Sequence, residues 1–551
     1  MTNLRTLVAA VGLVLATIQF STAQHWVPLA NQPNANLGLG NPLLLTDGTV
    51  ILHQACGPQW WHLTPDAYGS YVNGTWKRIA SLPTGYAPLY FGSAVLPDGR
   101  VMMAGGEYNA TKGNCQPVWT NQGAIYNPKT NKWAMVAPPT GWQSIGDAQS
   151  VVLANGTYMQ ANCCSTESAL LDPTTLTWTI TGTNKRDVHD EEGWTLLPDG
   201  TVLTVDAYVF AYAKNGKRYE IYHPSTGKWT SPGSTPVQLW DSYPDANHAS
   251  YELGPGVLRP DGTVFYLGAN GAPGQAGHTA TYDTHTKTWT AGPDIPDGMD
   301  VADGPAALLP GGSVLFQASP GIFNTGSRFF TWNGTTFSDV TWGNTDAPNI
   351  SSYWGNMLVL PTGEILYTDF GNVWVFQHGG NPKSAWLPQI LSAPSTVKRG
   401  HTYVVSGLNF NGFSQGAAYG DDIQGATNYP LVQITNRASG QVSYARTHDG
   451  TTSATIYRTS RNTAAAPSRR WSGCPPESPP PCGEPARCSP PSRPRFARSS
   501  NTGSSNNCSC FCPCYYLCCY LCCYPRCYPR RYPYGHKLND ATKRGAGRPT
   551  C

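Results

Sequence analysis

Residues Ser93–Asn109 read SAVLPDGRVMMAGGEYN. A short apolar run closes in Leu96-Pro97, Asp98-Gly99 turns the chain, and a second apolar run, Val101–Ala104, stops at Gly105-Gly106. The turn falls at Gly99 because glycine takes the positive φ of a tight hairpin without steric cost. Further on, Ala124–Trp133 reads AIYNPKTNKW. The two segments form one unit, and the chain repeats it.

The turn recurs at Asp47-Gly48, Asn155-Gly156, Asp199-Gly200, Asp261-Gly262, Gly311-Gly312 and Thr362-Gly363, each after an apolar run such as LLLT, VVLA or LVLP. Successive turns lie 51, 57, 44, 62, 50 and 51 residues apart. The second segment recurs as LDPTTLTW to Trp178, YHPSTGKW to Trp229 and YDTHTKTW to Trp289, with weaker copies at Asn73–Trp76, Trp332–Phe337 and Val373–Trp386. A period near ~50 residues with a hairpin in each unit is the signature of a kelch-type β-propeller. Seven turns and seven partners predict an all-β chain: a seven-bladed kelch-type β-propeller over residues 24–390. The repeated Trp residues read as packing between blades.

Residues 1–23 read as a signal peptide, with Arg5, an apolar Leu7–Phe20 and a small-residue Ser21-Thr22-Ala23 before Gln24. The apolar stretch is too short for a membrane span. A secreted, extracellular or periplasmic, soluble protein is expected. Asn-x-Ser/Thr occurs at Asn73, Asn109, Asn155, Asn333 and Asn349 and would carry glycans in a eukaryotic host. Over residues 391–450, HTYVVSGLNF, PLVQITN and GQVSYARTH alternate as strands and predict a partial immunoglobulin-like β-sandwich.

Residues 451–551 are rich in Pro, Arg and Cys and hold fifteen Lys and Arg against three Asp and Glu, a charge of +12. The whole chain carries +3, so residues 1–450 carry −9. Thirteen of the seventeen Cys lie from Cys474 onward. A basic tail suggests nucleic-acid or membrane contact, and a Cys run suggests metal. The abrupt end of the strand pattern favours a disordered tail or one translated out of frame. No nucleic-acid partner is expected. In residues 24–390, Cys56, Cys115, Cys163 and Cys164 each follow the second strand of a unit, on one face of neighbouring blades. They are candidates for one or two disulfides, with the pairing open.

The secretory start, the kelch units and the C-terminal sandwich resemble the galactose oxidase and glyoxal oxidase architecture, from about Ala23 to His448. The resemblance implies a copper ion held by two Tyr and two His, one Tyr cross-linked to a Cys. Where a Tyr-His pair opens the last blade, this chain has Tyr353-Trp354, and no Cys stands near Tyr90-Phe91-Gly92. Thr447-His448 matches the Thr-His of the sandwich. Indole has no lone pair for copper, so copper is disfavoured and no cofactor is expected.

In such a propeller the loops entering each first strand share a face around the axis. Counting eight or nine residues back from each turn brings Tyr90, Asp147, Asp190, Glu191, Glu252, Asp303, Tyr353 and Trp354 to that face, with His189 and His248 nearby. Carboxylates accept hydrogen bonds from sugar hydroxyls, aromatic rings pack on sugar faces, and hard oxygen donors suit calcium. The expected role is a binding module for carbohydrate or an extracellular protein. The alternative is an oxidase-like or other carbohydrate-active enzyme with an altered site, in which crowded carboxylates supply acid and base. An acidic rim also fits a solvated face that keeps the axis wet.

Overall fold

The computed structural model describes residues 24–34, 38–111, 114–208, 217–243, 249–270, 272, 274–378 and 380–450, and beyond them only short strands within 468–511. The signal-peptide expectation and most of the tail fall outside the described residues. The described residues are all-β, broken only by single 3-10 turns such as Ser352–Trp354.

Each repeat unit becomes one antiparallel sheet. In the first, Leu39–Leu44, Val50–Gln54, Trp60–Thr64 and Thr75–Arg78 pair in order. In the second, Gly92–Val95, Val101–Ala104, Gly123–Asn127 and Lys132–Val136 do the same. Seven sheets are built this way among the described residues. Side chains fix the turns: Asp47 Oδ1 accepts from the Thr49 N–H, Asp98 Oδ1 from Arg100 and Asp199 Oδ1 from Thr201. The Asp holds the chain's return while the following Gly supplies φ of 78–84°.

The repeated Trp residues tie each sheet to the one before it. Trp133 Nε1 donates to Ala80 O at 3.0 Å and Trp178 Nε1 to Ala137 O at 2.7 Å, each carbonyl just beyond the outer strand of the preceding sheet. Trp133 also stacks on Trp60, ring centroids 5.2 Å apart. Trp60 and Trp229 are fully buried; truncating such a side chain to Ala costs about 3–5 kcal/mol. The last sheet differs from its expected makeup. Its fourth strand is His25–Pro28 at the N-terminal end, paired with Val373–Gln377, and not a continuation toward Trp386. Trp76 Nε1 then donates to Asn31 O at 2.8 Å, repeating the same link across the closure.

The expected C-terminal strands form as Thr402–Leu408, Val432–Thr435 and Val442–His448, with Gln389–Ser392 beside the first. Ser468–Ser472, inside the tail, pairs between Thr402–Leu408 and Val442–His448. These strands cover the face that carries the Asp-Gly turns. Arg446 reaches Asp47 at 2.7 Å, Tyr429 Oη donates to Leu44 O, and a Cβ on Gly48 would strike the Tyr444 ring. From this face a narrow hairpin, Ser414 to Asn428, enters the propeller axis. Ala417–Ala418 joins the sixth sheet at Ala306–Ala307, and Thr427 N donates back to Gln415 O at 2.6 Å. Its glycines fit where side chains do not: a Cβ on Gly420 would lie 2.8 Å from Leu253 O.

Candidate functional site

The finger's tip, Tyr419 to Asp422, meets the loops that enter the first strands. These loops share a conformation. Gly38, Tyr90, Gly146, Glu191, Tyr251 and Asp303 all have φ between 48° and 70°. For the four non-glycine residues this costs about 1–2 kcal/mol each, held by the surrounding structure. Strain of this kind, repeated around one rim, singles the rim out as a candidate site.

Beneath the rim lies a nest of acids. Oxygens of Glu191, Asp303 and Asp421 sit within 4.8 Å of one another. Glu191, Glu252, Asp421 and Asp422 are buried, and Asp303 is half-buried. Two carboxylates at such a separation repel by about 3 kcal/mol at an effective dielectric of about 20. Burial, with Glu252 beside it, pushes Glu191 well above the usual carboxylate range. Burial and Asp422 do the same to Asp421, and burial pushes Asp422 to about 8. Among the described residues, neither carboxylate oxygen of the buried Asp422 has a hydrogen-bond donor. Asp190 is also buried, close to Cys163, and Asp147 is half-buried.

Aromatic rings surround the nest. Tyr419 is buried among Asp303, Tyr90, Asp422 and Asp421, and its Oη donates to Tyr353 O at 2.7 Å. Tyr353 sits between Phe323, edge-on at 5.1 Å, and Trp354, tilted at 5.3 Å, and Trp354 meets Phe370 edge-on at 5.8 Å. Trp354 is 36% exposed. Tyr90 packs against Tyr108 at 6.2 Å. The arrangement offers flat apolar faces above acceptor-rich, water-poor oxygens.

Several expectations change. The axis is not a wet pore: the finger fills it, with Gln415 Oε1 accepting from Leu196 N at 2.7 Å and Gln424 Nε2 donating to Trp194 O at 3.3 Å. The acids are therefore a buried floor and not a solvated rim. His448 does not join them. It ends the strand Val442–His448 on the turn face, bound to Asp449 at 2.7 Å, while Asp449 N donates to Pro97 O. His189 is buried between Trp194 and Trp229 and held neutral by burial. His248 lies outside the described residues. Trp60 is buried and Trp61 half-buried. Cys56 pairs with Cys115 as a disulfide, leaving Cys163 and Cys164 as thiols.

Tyr419, Asp421 and Asp422 escaped the sequence reading, although they stand in GAAYGDDIQG, a small-residue run between two strands. So did a second acidic nest, where Lys185 Nζ reaches Glu192 Oε1 at 2.9 Å and Glu220 Oε2 at 2.7 Å, with Asp206 at 3.9 Å. Among the described residues, no His takes part in any grouping of three His, Cys or carboxylate side chains close enough to share a metal ion.

No protein-family model matches this chain. Over 160 residues it is 28% identical to the kelch-like protein terF of Aspergillus terreus, a stretch covering 27% of this chain and 31% of that protein. Among solved structures it is similar to a fungal alcohol oxidase of the AA5 family in complex with copper, at 13% identity and a TM-score of 0.48, covering 77% of this chain and 92% of that one. It is also similar to virginiamycin B lyase from Staphylococcus aureus, at 11% identity and a TM-score of 0.42, covering 64% and 98%. The chain is a kelch-like β-propeller. No helix of the described residues is long and apolar enough to cross a membrane.

Proposed function

We propose that the chain is an exported, seven-bladed propeller with a partial immunoglobulin-like sandwich, acting as a carbohydrate-binding module through the rim opposite that sandwich. The observation that carries this reading is the pairing of exposed and half-exposed rings, Trp354, Tyr353 and Tyr90, with the carboxylates of Glu191, Asp303 and Asp421. A sugar ring lies on the aromatic faces and donates its hydroxyls to the acids. Calcium fits the same floor: three oxygen donors within 4.8 Å, with no basic side chain among the leading electrostatic neighbours of Glu191 or Asp421. A secreted or surface protein is the second partner class for this face.

The copper-oxidase reading is less well supported. Trp354 occupies the place of the imidazole that the resemblance requires, His448 lies on the turn face, and the finger brings Tyr419, Asp421 and Asp422 to the axis, none of them an imidazole. The residues present do not fit a Tyr/His copper set. A glycan array probed with the full chain tests the proposal. Binding that falls at least tenfold in Trp354→Ala is expected. Peroxide release from galactose, glyoxal or methylglyoxal after copper loading, abolished by Tyr353→Phe, would replace the binding reading with an oxidase.

A further inference from the structure

The four cysteines of the propeller divide unequally. Cys56 and Cys115 join across 59 residues. Cys163 and Cys164 are neighbours in sequence, and their sulfurs stand 2.9 Å apart. That is closer than non-bonded sulfur atoms ordinarily sit, and less than 1 Å beyond the ~2.05 Å of a disulfide bond. The usual obstacle to joining adjacent cysteines is the backbone: their Cα atoms lie about 3.8 Å apart, short of the ~4.4–6.8 Å a disulfide normally spans. A sharp turn at the second residue is needed, and Cys164 has φ +63°.

The surrounding loops hold that turn. Cys163 N donates to Ile145 O at 2.9 Å, in the loop entering the same sheet. Cys164 N donates to His189 O at 3.1 Å, and His189 N returns a bond to Ser165 O at 2.7 Å, in the loop entering the next sheet. Cys163 is buried and Cys164 half-buried, so one sulfur is reachable and the other waits behind it. Contact with the Cys164 sulfur, and then burial, pushes the Cys163 thiol well above its ordinary range. The reduced pair is thus two neutral thiols pressed together.

We propose that Cys163 and Cys164 form a vicinal disulfide at the rim of the axial site. The oxidant is a small disulfide. The Cys164 thiolate attacks one of its sulfurs and releases the first small thiol, leaving a mixed disulfide on Cys164. The Cys163 thiolate then attacks Cys164 Sγ and displaces the second small thiol. Two cysteine thiols lose two protons and two electrons, and the oxidant becomes two thiols. The bond encloses no chain beyond its own two residues, so it constrains the unfolded state very little compared with Cys56–Cys115. Its effect is local. It removes the S–H that faces Asp190 Oδ1 at 3.5 Å and puts an aprotic ring beside it. Gly146 marks the neighbourhood: a Cβ there would lie 2.9 Å from Cys163 Cβ and 3.7 Å from the ring of Trp119, which is 40% exposed.

The sequence supplies a clean test on the full chain. Trypsin releases Trp133–Lys185, which contains Cys163 and Cys164 and no other cysteine. The protein is alkylated without reductant, digested, freed of any glycan at Asn155 and weighed. The expected peptide is unalkylated and lighter by two hydrogen atoms, and it takes two alkyl groups when reduced first. Two alkyl groups before reduction, or a link from this peptide to any other cysteine peptide, would overturn the proposal.

Discussion

Glu191 and Glu192 are adjacent, yet they belong to two differently built acidic nests. Glu192 turns toward Lys185, whose ammonium also contacts Glu220 and faces Asp206. Burial pulls Lys185 down, but Glu192, Asp206 and Glu220 outweigh it and hold the side chain charged. Arg218 stands 3.4 Å from Asp206, and Thr204 Oγ1 donates to Glu192. This nest brings its own cations. Glu191, with its left-handed backbone, joins Asp303 and Asp421 at the finger's tip, where the strongest neighbours are other carboxylates. The leading neighbours of Glu191 and Asp421 among the described residues carry no positive charge, so a proton or a bound cation would lower the repulsion there. The first arrangement is structural, and the second leaves a demand that binding can meet.

The largest expected effect removes the internal cation. Lys185→Met leaves Glu192, Asp206 and Glu220 buried without their ammonium, and breaking such a pair costs about 3–5 kcal/mol. Chemical denaturation should show the midpoint falling accordingly, with a low yield of folded protein as a second sign. A loss under about 1 kcal/mol would mean that the Lys185 nest is no better neutralised than the axial one.

Calcium sharpens the contrast from the other side. A cation that binds only the folded axial nest stabilises by about 2.7 kcal/mol at a hundredfold excess over Kd. A rise of a few degrees in Tm is expected for the full chain, reversed by chelator and absent in Asp421→Asn. An equal rise in that variant would place the ion elsewhere.

A smaller effect is expected from pH. Asp422 has a folded pKa of about 8, while an unfolded Asp ionises near ~4. Between these values the native state keeps a proton that the unfolded chain has released, so this group's contribution to stability falls as pH rises through the window. Asp206 is also pushed by burial to about 8, so both nests contribute with the same sign. Calcium separates them, because the proposed ion competes with protons at the axial nest and would meet the Lys185 ammonium in the other. Its Tm increment should be larger at pH 8 than at pH 5. An increment independent of pH would argue against binding at protonated carboxylates.

The propeller was legible because the repeat writes itself in short range: an Asp whose side chain bonds two residues on, a Gly at positive φ, and a Trp that reaches the preceding sheet. Closure was not, since Trp26 in His25–Pro28 stands without the hairpin turn and Tyr-x-Pro run that mark the other units, and the strand finds Val373–Gln377 only in three dimensions, where Trp26 Nε1 donates to Val340 O at 2.9 Å as the other repeat Trp residues do. Counting back from the turns reached Glu191, Glu252 and Asp303 because the sheets are alike. The finger could not be reached that way, since residues 414–428 belong to no repeat and contact the axis only by threading it. The split between Glu191 and Glu192 depends on one backbone angle and is invisible in residue type.

The smallest expected effect is none. Trp354→His restores the imidazole at the place where the galactose oxidase resemblance calls for one. If the axial nest differed from a copper site only there, the variant would gain peroxide-forming activity with copper and galactose or glyoxal. The surroundings argue otherwise. Trp354 is held edge-on to Phe370 and against Tyr353, in an exposed row of rings and not in the buried nest. The groups the finger brings to the axis are Tyr419, Asp421 and Asp422, all buried and hard in character, and His448 is tied to Asp449 on the turn face. No Cys lies at Tyr90-Phe91-Gly92 to modify a Tyr. A single imidazole added to this set gives a site still dominated by carboxylates. Oxygen-electrode and peroxide assays on copper-loaded Trp354→His should therefore read the same as the parent chain. The change gives up ring contacts with Tyr353 and Phe370 and should cost about 1 kcal/mol, so a melting curve of the variant, read beside the assay, separates a null activity from unfolding.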